Sequence, residues 1–204
     1  MGFEITRRFG ILDSNMEKGS NVKNIKFRPA TANDAETLYH VKIAAFADEF
    51  EQFKYAEADG IFKTIVEDSK SGSPKEGMFS MGWHRQFCSA GDHATVIEDG
   101  ETIIGSIVVL PGKGFGQEQD YPGYDLSQDD TNVLLCIYVL PEYKNKGVGA
   151  AAMEYMERLK PAKKWILSTP DVSVKNKRFY EKCGYKSGEK TGPNHILRIY
   201  TKGI

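Results

Sequence analysis

The residues best placed to do chemistry lie where an apolar run, residues 133–140, stops at Pro141 and gives way to Glu142-Tyr143-Lys144-Asn145-Lys146-Gly147-Val148-Gly149-Ala150. Ala151, Ala152, Met153 and Met156 follow at helical spacing. A buried strand that runs through a glycine-bearing loop into a helix presents unpaired backbone N–H groups and the positive end of the helix dipole. Gly147 and Gly149 leave room for a phosphate to approach the main chain, and Lys144 and Lys146 add positive charge. The chemistry implied is the binding of a pyrophosphate. Among phosphate loops, the G-x-x-x-x-G-K-[ST] pattern is absent. A G-x-G-x-x-[GA] dinucleotide fingerprint is met formally by Gly147, Gly149 and Ala152, but in a long basic loop late in the chain.

Lys144-x-x-Gly147-x-Gly149 resembles motif A of the GNAT superfamily of N-acetyltransferases, R/Q-x-x-G-x-G/A, with Lys in place of the usual Arg or Gln. The preceding Tyr138-Val139-Leu140-Pro141-Glu142-Tyr143 is similar to that family's strand and loop entry. Downstream, Phe179-Tyr180-Glu181-Lys182-Cys183-Gly184-Tyr185 resembles the end of its motif B, F/L-Y-E-K-x-G-F/Y. The resemblance runs from about Ile25 to the C-terminus and is densest over residues 134–185. It implies acetyl-CoA as cosubstrate, a primary amine as acceptor, and direct attack without an acyl-enzyme.

By the same resemblance, Lys144, Lys146, Gly147, Val148, Gly149 and Ala150 would cradle the pyrophosphate. The pantetheine arm would pair with the strand edge at Ile137 and Val139, and the Val139 N–H would face the thioester oxygen. Tyr180 matches the tyrosine that protonates the departing thiolate. A phenol near 10 and a thiol near 8.5 make that transfer nearly matched. Where the family often has a cofactor-touching Asn, this chain has Ser173, with Asn176 a turn later. The strand holds no acid or histidine to deprotonate the amine. Asp129 and Asp130, just upstream, are the nearest candidates.

The elements that must position these groups follow from pattern. Residues 25–28 alternate as a first strand, and Thr31-Ala32-Asn33-Asp34 reads as a capping box opening a helix to about Phe50. A second helix is expected within residues 51–68 and a helical turn over 83–89. Residues 94–98 and 102–110 form a hairpin at Asp99-Gly100, with both turn residues expected at positive φ. Residues 111–130 form a long polar loop carrying Lys113 against Glu118, Asp120, Asp125, Asp129 and Asp130. That acidic rim, with Phe115, Tyr121 and Tyr124, favours a small cationic amine. Strands at 165–168 and 195–201 and a Ser173-capped helix to Cys183 complete the order β-α-α-β-β-β-α-β-α-β. That order is similar to the GNAT fold: α/β, a mixed, mostly antiparallel sheet flanked by helices and splayed between its fourth and fifth strands. Residues 1–24 read as a flexible arm and 25–204 as a single domain.

Composition sets the bounds. A net charge of −1 gives no basic field for nucleic acid, and no apolar run suits a membrane helix. Cys88, Cys136 and Cys183 are odd in number and widely spaced, which points to a reducing, cytoplasmic setting. Met1-Gly2 opens a formal myristoylation pattern that reads as chance. His84, Cys88 and His93 lack any metal-binding context, so no metal is expected. Cys136 and Cys183 read as packing residues. The readings left open beside a small-molecule acetyltransferase are a protein or peptide N-acetyltransferase, an acyl-CoA sensor without turnover, and a nucleotide-binding protein of another fold. A homodimer is compatible with all of them.

Overall fold

A computed structural model describes residues 24–53, 77–113, 115, 121–127, 130–192 and 195–203. Its strands are β1 Ile25–Pro29, β2 Ala94–Asp99, β3 Thr102–Pro111, β4 Thr131–Val139, β5 Lys164–Pro170, β6 Lys186–Thr191 and β7 Leu197–Gly203. Its helices are α1 Ala35–Phe53, α2 Met81–Ser89, α3 Val148–Leu159 and α4 Val174–Lys182. The strands join in one sheet, ordered β1-β2-β3-β4-β5-β7-β6. Every neighbouring pair is antiparallel except β4 with β5. The expected mixed, mostly antiparallel architecture is therefore present. The expected arm up to Lys23 and most of the second helix lie outside the described residues.

The sheet opens between β4 and β5. The two pair only through Thr131–Lys164, Asn132–Trp165 and Val133–Ile166. Beyond those pairs β4 stays on β3 and β5 stays on β7, so a cleft separates them. A β-bulge sits where the divergence begins. Val108 faces Cys136 and Val109 faces Leu134, which leaves Leu135 as the extra residue of β4. Such a residue bends its strand and increases the local twist.

Period-two alternation sends the sheet's two faces to different helices. Val96, Val108, Cys136 and Tyr138 pack under α1, whose Leu38, Val41 and Ala45 recur at helical spacing. Ile97, Ile107, Val109 and Leu134 pack under α3, through Val148, Ala152, Met153 and Met156. Fully burying a side chain such as Met153 or Met156 contributes about 1.5–3 kcal/mol. Lys160 closes α3 ahead of Pro161, which cannot continue a helix. Gly105 lets β3 and β4 approach closely, since a Cβ there would lie 2.3 Å from the Tyr138 carbonyl oxygen.

Three local expectations change. The β2–β3 turn is Gly100-Glu101, with Asp99 still paired to Thr102. Gly100 alone of the two turn residues has positive φ, +63°, as a turn with glycine first requires. Residues 186–191 form β6, a strand that the expected element order lacked. Its sequence KSGEKT has no apolar face because it lies at the sheet's edge. The loop after β3 is partly core, with Tyr121 and Leu126 buried against Val133, Ile166 and Ile199.

His84 is a core residue. Its ring is buried, Nδ1 hydrogen-bonds the Ser80 carbonyl at 2.8 Å, and Nε2 has no partner. Burial lowers its pKa to about 4, helped by the Lys42 charge and opposed by the Ser80 carbonyl. Folding therefore favours the neutral ring. Its contribution is complete above the unfolded value near 6.5 and is lost as pH falls through about 4. The melting temperature is expected to drop by several degrees between those pH values in the wild type, and by less in His84→Gln. Thermal unfolding followed by circular dichroism across the window checks this. Asp34, held at about 2 first by its hydrogen bond to Arg28, titrates below that window.

Candidate active site

A single cavity of about 1660 Å³ runs from the α1–α2 face of the sheet, through the β4–β5 cleft, to the start of α3 and the side of α4. One end is the glycine loop. After β4 the chain makes a 3-10 turn over Pro141–Tyr143, and Gly147 caps α3 with φ +87°. That conformation suits glycine, and nothing lies within 4 Å of where its Cβ would be. The cap leaves the first N–H groups of α3 without helical acceptors, an arrangement that suits an anion. The space beside Gly149 is already used. A Cβ there would meet the Phe179 ring at 3.1 Å, so this glycine lets α4 pack on the start of α3.

Of the residues expected at this site, Ile137, Val139, Lys144, Gly147, Gly149, Ala150 and Tyr180 line the cavity. Lys146, Val148 and Ser173 do not. Lys146 is exposed, 5.5 Å from the Tyr143 ring centroid. Val148 is buried in the α3 core, which leaves its backbone N–H as its means of reaching a ligand. Ser173 is buried as the cap of α4, its Oγ accepting from the Asn176 N–H at 3.3 Å. Asn176 takes the place in the lining, and its Nδ2 donates to Thr169 Oγ1 at 3.1 Å. Lys144 turns its Nζ toward the α1 carbonyl of Ala45. Burial and the Lys175 charge lower its pKa, while Glu49 opposes them.

Asp130 is not placed to serve as base. It precedes the end of β4 that stays paired with β5, and its carboxylate binds Lys163 at 2.7 Å in solvent. It contributes nothing to the lining, and Asp129 lies outside the described residues. Asp125 is likewise absent from the lining, its Oδ1 accepting from Ser127. The described part of the long loop gives the cavity Lys113, Phe115 and Tyr121 rather than acids.

The acid that does enter is Glu49, on the inner face of α1 and unrecognised in the sequence. It is the sole carboxylate among the described lining residues. Burial raises its pKa above the ordinary carboxylate range, against the pull of Lys144 and Lys175. Tyr180 shares the cavity. Burial pushes its hydroxyl well above the usual phenol value, and the charges of Cys136 and Glu49 add to that. Its ring is fixed by Phe179, Tyr185 and Tyr200 at centroid distances of 5.1–6.1 Å. The cavity thus holds a carboxylate able to accept a proton and a phenol that keeps its own.

Lys42 is the second group the sequence reading passed over. It is fully buried on α1, and its Nζ donates to the Met78 carbonyl at 2.6 Å. The amine lies 3.7 Å from the Trp83 ring centroid, 5.0 Å from Phe79 and 5.6 Å from Tyr138. It also lies 3.8 Å from Cys136 Sγ. Burial lowers the Lys42 pKa and raises that of the Cys136 thiol. Leu38 and Phe46, four residues to either side, mark Lys42 as a lysine on an apolar helix face. Among the described residues, no group of His, Cys, Asp or Glu has the arrangement to hold a metal.

Comparison with known proteins agrees with this geometry. Residues 90–187 match the family described as an acetyltransferase (GNAT) domain. The PaiA N-acetyltransferase of Thermoplasma acidophilum, solved with coenzyme A, has the same fold at TM-score 0.63 and 16% identity, over 89% of this chain and 99% of that one. A GNAT-family acetyltransferase of Listeria monocytogenes aligns at TM-score 0.63 and 12% identity, over 92% and 99%. Diaminobutyrate acetyltransferase EctA of Paenibacillus lautus, solved with L-2,4-diaminobutyric acid and coenzyme A, aligns at 0.55 and 11%, over 91% and 96%. At such identities the likeness concerns the fold. The uncharacterized protein YrkN of Bacillus subtilis (strain 168) is 28% identical over 109 residues, 52% of this chain and 46% of YrkN. The matched segment thus spans about half the length of that relative.

Proposed function

We propose, from the match of residues 90–187 to the GNAT acetyltransferase domain, that the protein transfers an acetyl group from acetyl-CoA to the primary amine of a small molecule. The observation that carries the reading is continuity. One cavity joins a helix start that suits an anion, an open strand edge, a buried phenol and a half-buried carboxylate.

The pyrophosphate would lie on the loop of Gly147, Gly149 and Ala150, with Lys144 beside it. The pantetheine arm would run along β4 at Ile137 and Val139, where β5 has turned away. There the strand offers main-chain groups to an extended arm, as a sheet edge does to an added strand. Glu49 would take the proton from the attacking amine, the role first sought in Asp129 and Asp130. Tyr180 would protonate the departing thiolate. Its raised pKa keeps it in the donor form at any working pH, and the burial that raises it also raises a thiol nearby, as it does Cys183. Free cysteines at 88, 136 and 183 fit a reducing compartment such as the cytoplasm. No described helix is long and apolar enough to cross a membrane.

The test is amine-dependent release of CoA from acetyl-CoA, beside calorimetric binding with ATP and NAD as competitors. Binding without release for any amine would make the protein a sensor, and preference for ATP or NAD would remove the family mechanism. Glu49 gives the reaction its pH signature. For the wild type, kcat/KM should rise with pH through a midpoint above the ordinary carboxylate value, because burial raises that group. Glu49→Gln is expected to lower kcat about 10²-fold and to erase that limb, while leaving acetyl-CoA affinity unchanged.

A further inference from the structure

Resting on that reading, we propose that the acceptor is an arylalkylamine: a primary amine on a short chain that ends in an aromatic ring. The α1–α2 side of the cavity carries the ring site. Phe46 from α1 and Trp83 and Phe87 from α2 converge there with Phe79 and with Tyr138 from β4. Trp83 and Phe87 lie 4.5 Å apart between centroids, and Phe46 packs edge-on to Phe79 at 5.2 Å. Rings in an edge-on arrangement such as that of Phe46 and Phe79 gain beyond the area they bury. A further ring adds to this set on the same terms.

The charges argue against the obvious alternative, a polyamine. An aromatic box of this kind would ordinarily attract a cation, but this one already has a resident amine. Lys42 fills the place above Trp83 and has the Met78 carbonyl for itself. What remains open to the cavity is ring surface. Among the described lining residues the sole carboxylate is Glu49, and the cations Lys144 and Lys175 act on it. A molecule with several ammonium groups meets repulsion there, whereas a single amine has one carboxylate to meet.

The step balances without a further reactant. The amine nitrogen forms a bond to the acetyl carbonyl carbon and loses a proton to Glu49. The carbon–sulfur bond breaks, and the thiolate takes the Tyr180 proton. The proton on Glu49 then returns to the tyrosine side through solvent. The products are an N-acetylated arylalkylamine and free CoA.

Two readouts separate this proposal from the reading beneath it. The first is turnover with 2-phenylethylamine, tyramine, spermidine and a lysine-containing peptide. The aryl amines are expected to show kcat/KM at least about 10-fold above spermidine. Trp83→Ala should raise their KM about 10-fold, with kcat nearly unchanged and acetyl-CoA affinity intact. The second is tryptophan fluorescence in the presence of CoA, where no chemistry is needed. The chain has two tryptophans, and Trp165 is fully buried, so Trp83 reports on the ring site. Saturable quenching by 2-phenylethylamine, absent in Trp83→Phe, is the expected result. Quenching without turnover would keep the ring site and remove the transferase. Preference for spermidine or the peptide would overturn the arylalkylamine proposal and keep the transferase, whereas acetyl-CoA binding without quenching would overturn the arylalkylamine proposal and leave the transferase to the turnover assay. Loss of both acetyl-CoA binding and quenching would overturn both.

Discussion

Replacing Tyr180 by Phe is expected to lower kcat about 10²- to 10³-fold while changing acetyl-CoA affinity by less than about 2-fold. The split follows from where the side chain sits. The ring is packed by Phe179, Tyr185 and Tyr200, so Phe keeps the packing and removes only the hydroxyl. No hydrogen bond within the described fold depends on that oxygen, so stability should hold. In the proposed reaction the hydroxyl would act late, when sulfur carries charge. Poor leaving groups should therefore suffer most, and an acetyl thioester with a more acidic thiol should recover part of the rate in Tyr180→Phe. Steady-state kinetics with the two thioesters, beside calorimetry, would check this. An equal loss for both thioesters would remove the proton from Tyr180's role.

Gly147→Glu is expected to weaken acetyl-CoA binding by at least about 10²-fold, a loss of about 3 kcal/mol. Two effects combine. The residue holds φ +87°, which costs a side-chain-bearing residue about 1–2 kcal/mol. The new carboxylate would also sit at the start of α3, where a helix end welcomes negative charge, and so would occupy the position of the phosphate. Gly147→Ala separates the two. It carries the strain without the charge, and its affinity should stay within a few-fold of wild type although its melting temperature falls. Calorimetry on the three proteins reads the difference. Equal losses in Ala and Glu would place the effect in the backbone and remove the anion site from the account.

What could be read in the chain before folding was local. Pro141, Lys144, Gly147 and Gly149 declare a loop and a helix start within one short stretch, and Ser173 with Gly184 brackets α4. Gly184 has φ +88° and follows the helix as such a glycine should. The bulge at Leu135 left no mark. It lies in a continuous apolar run, where residues facing either side of the sheet look alike. β6 left none either, since an edge strand of polar residues has no buried face to announce it. Glu49 and Lys42 were missed for a different reason. Lys42 is enclosed by α2 and β4, and Glu49 lies under the charges of Lys144 and Lys175, so groups from distant parts of the chain separate both from solvated helix charges. Asp130 is the converse case, close in sequence to the strand but at its far end in space.

The cleft between β4 and β5 is made by backbone: three residue pairs, one supernumerary residue, and then two strands that part. A groove of that kind has no side chain whose loss deletes it. Evolution is therefore free to exchange nearly every side chain along it while keeping the groove, which accords with chains of 11–16% identity sharing the fold over about nine-tenths of this one. Under the proposed function, selection for a new acceptor would act on α1, α2 and the long loop, beside a strand edge that can stay as it is.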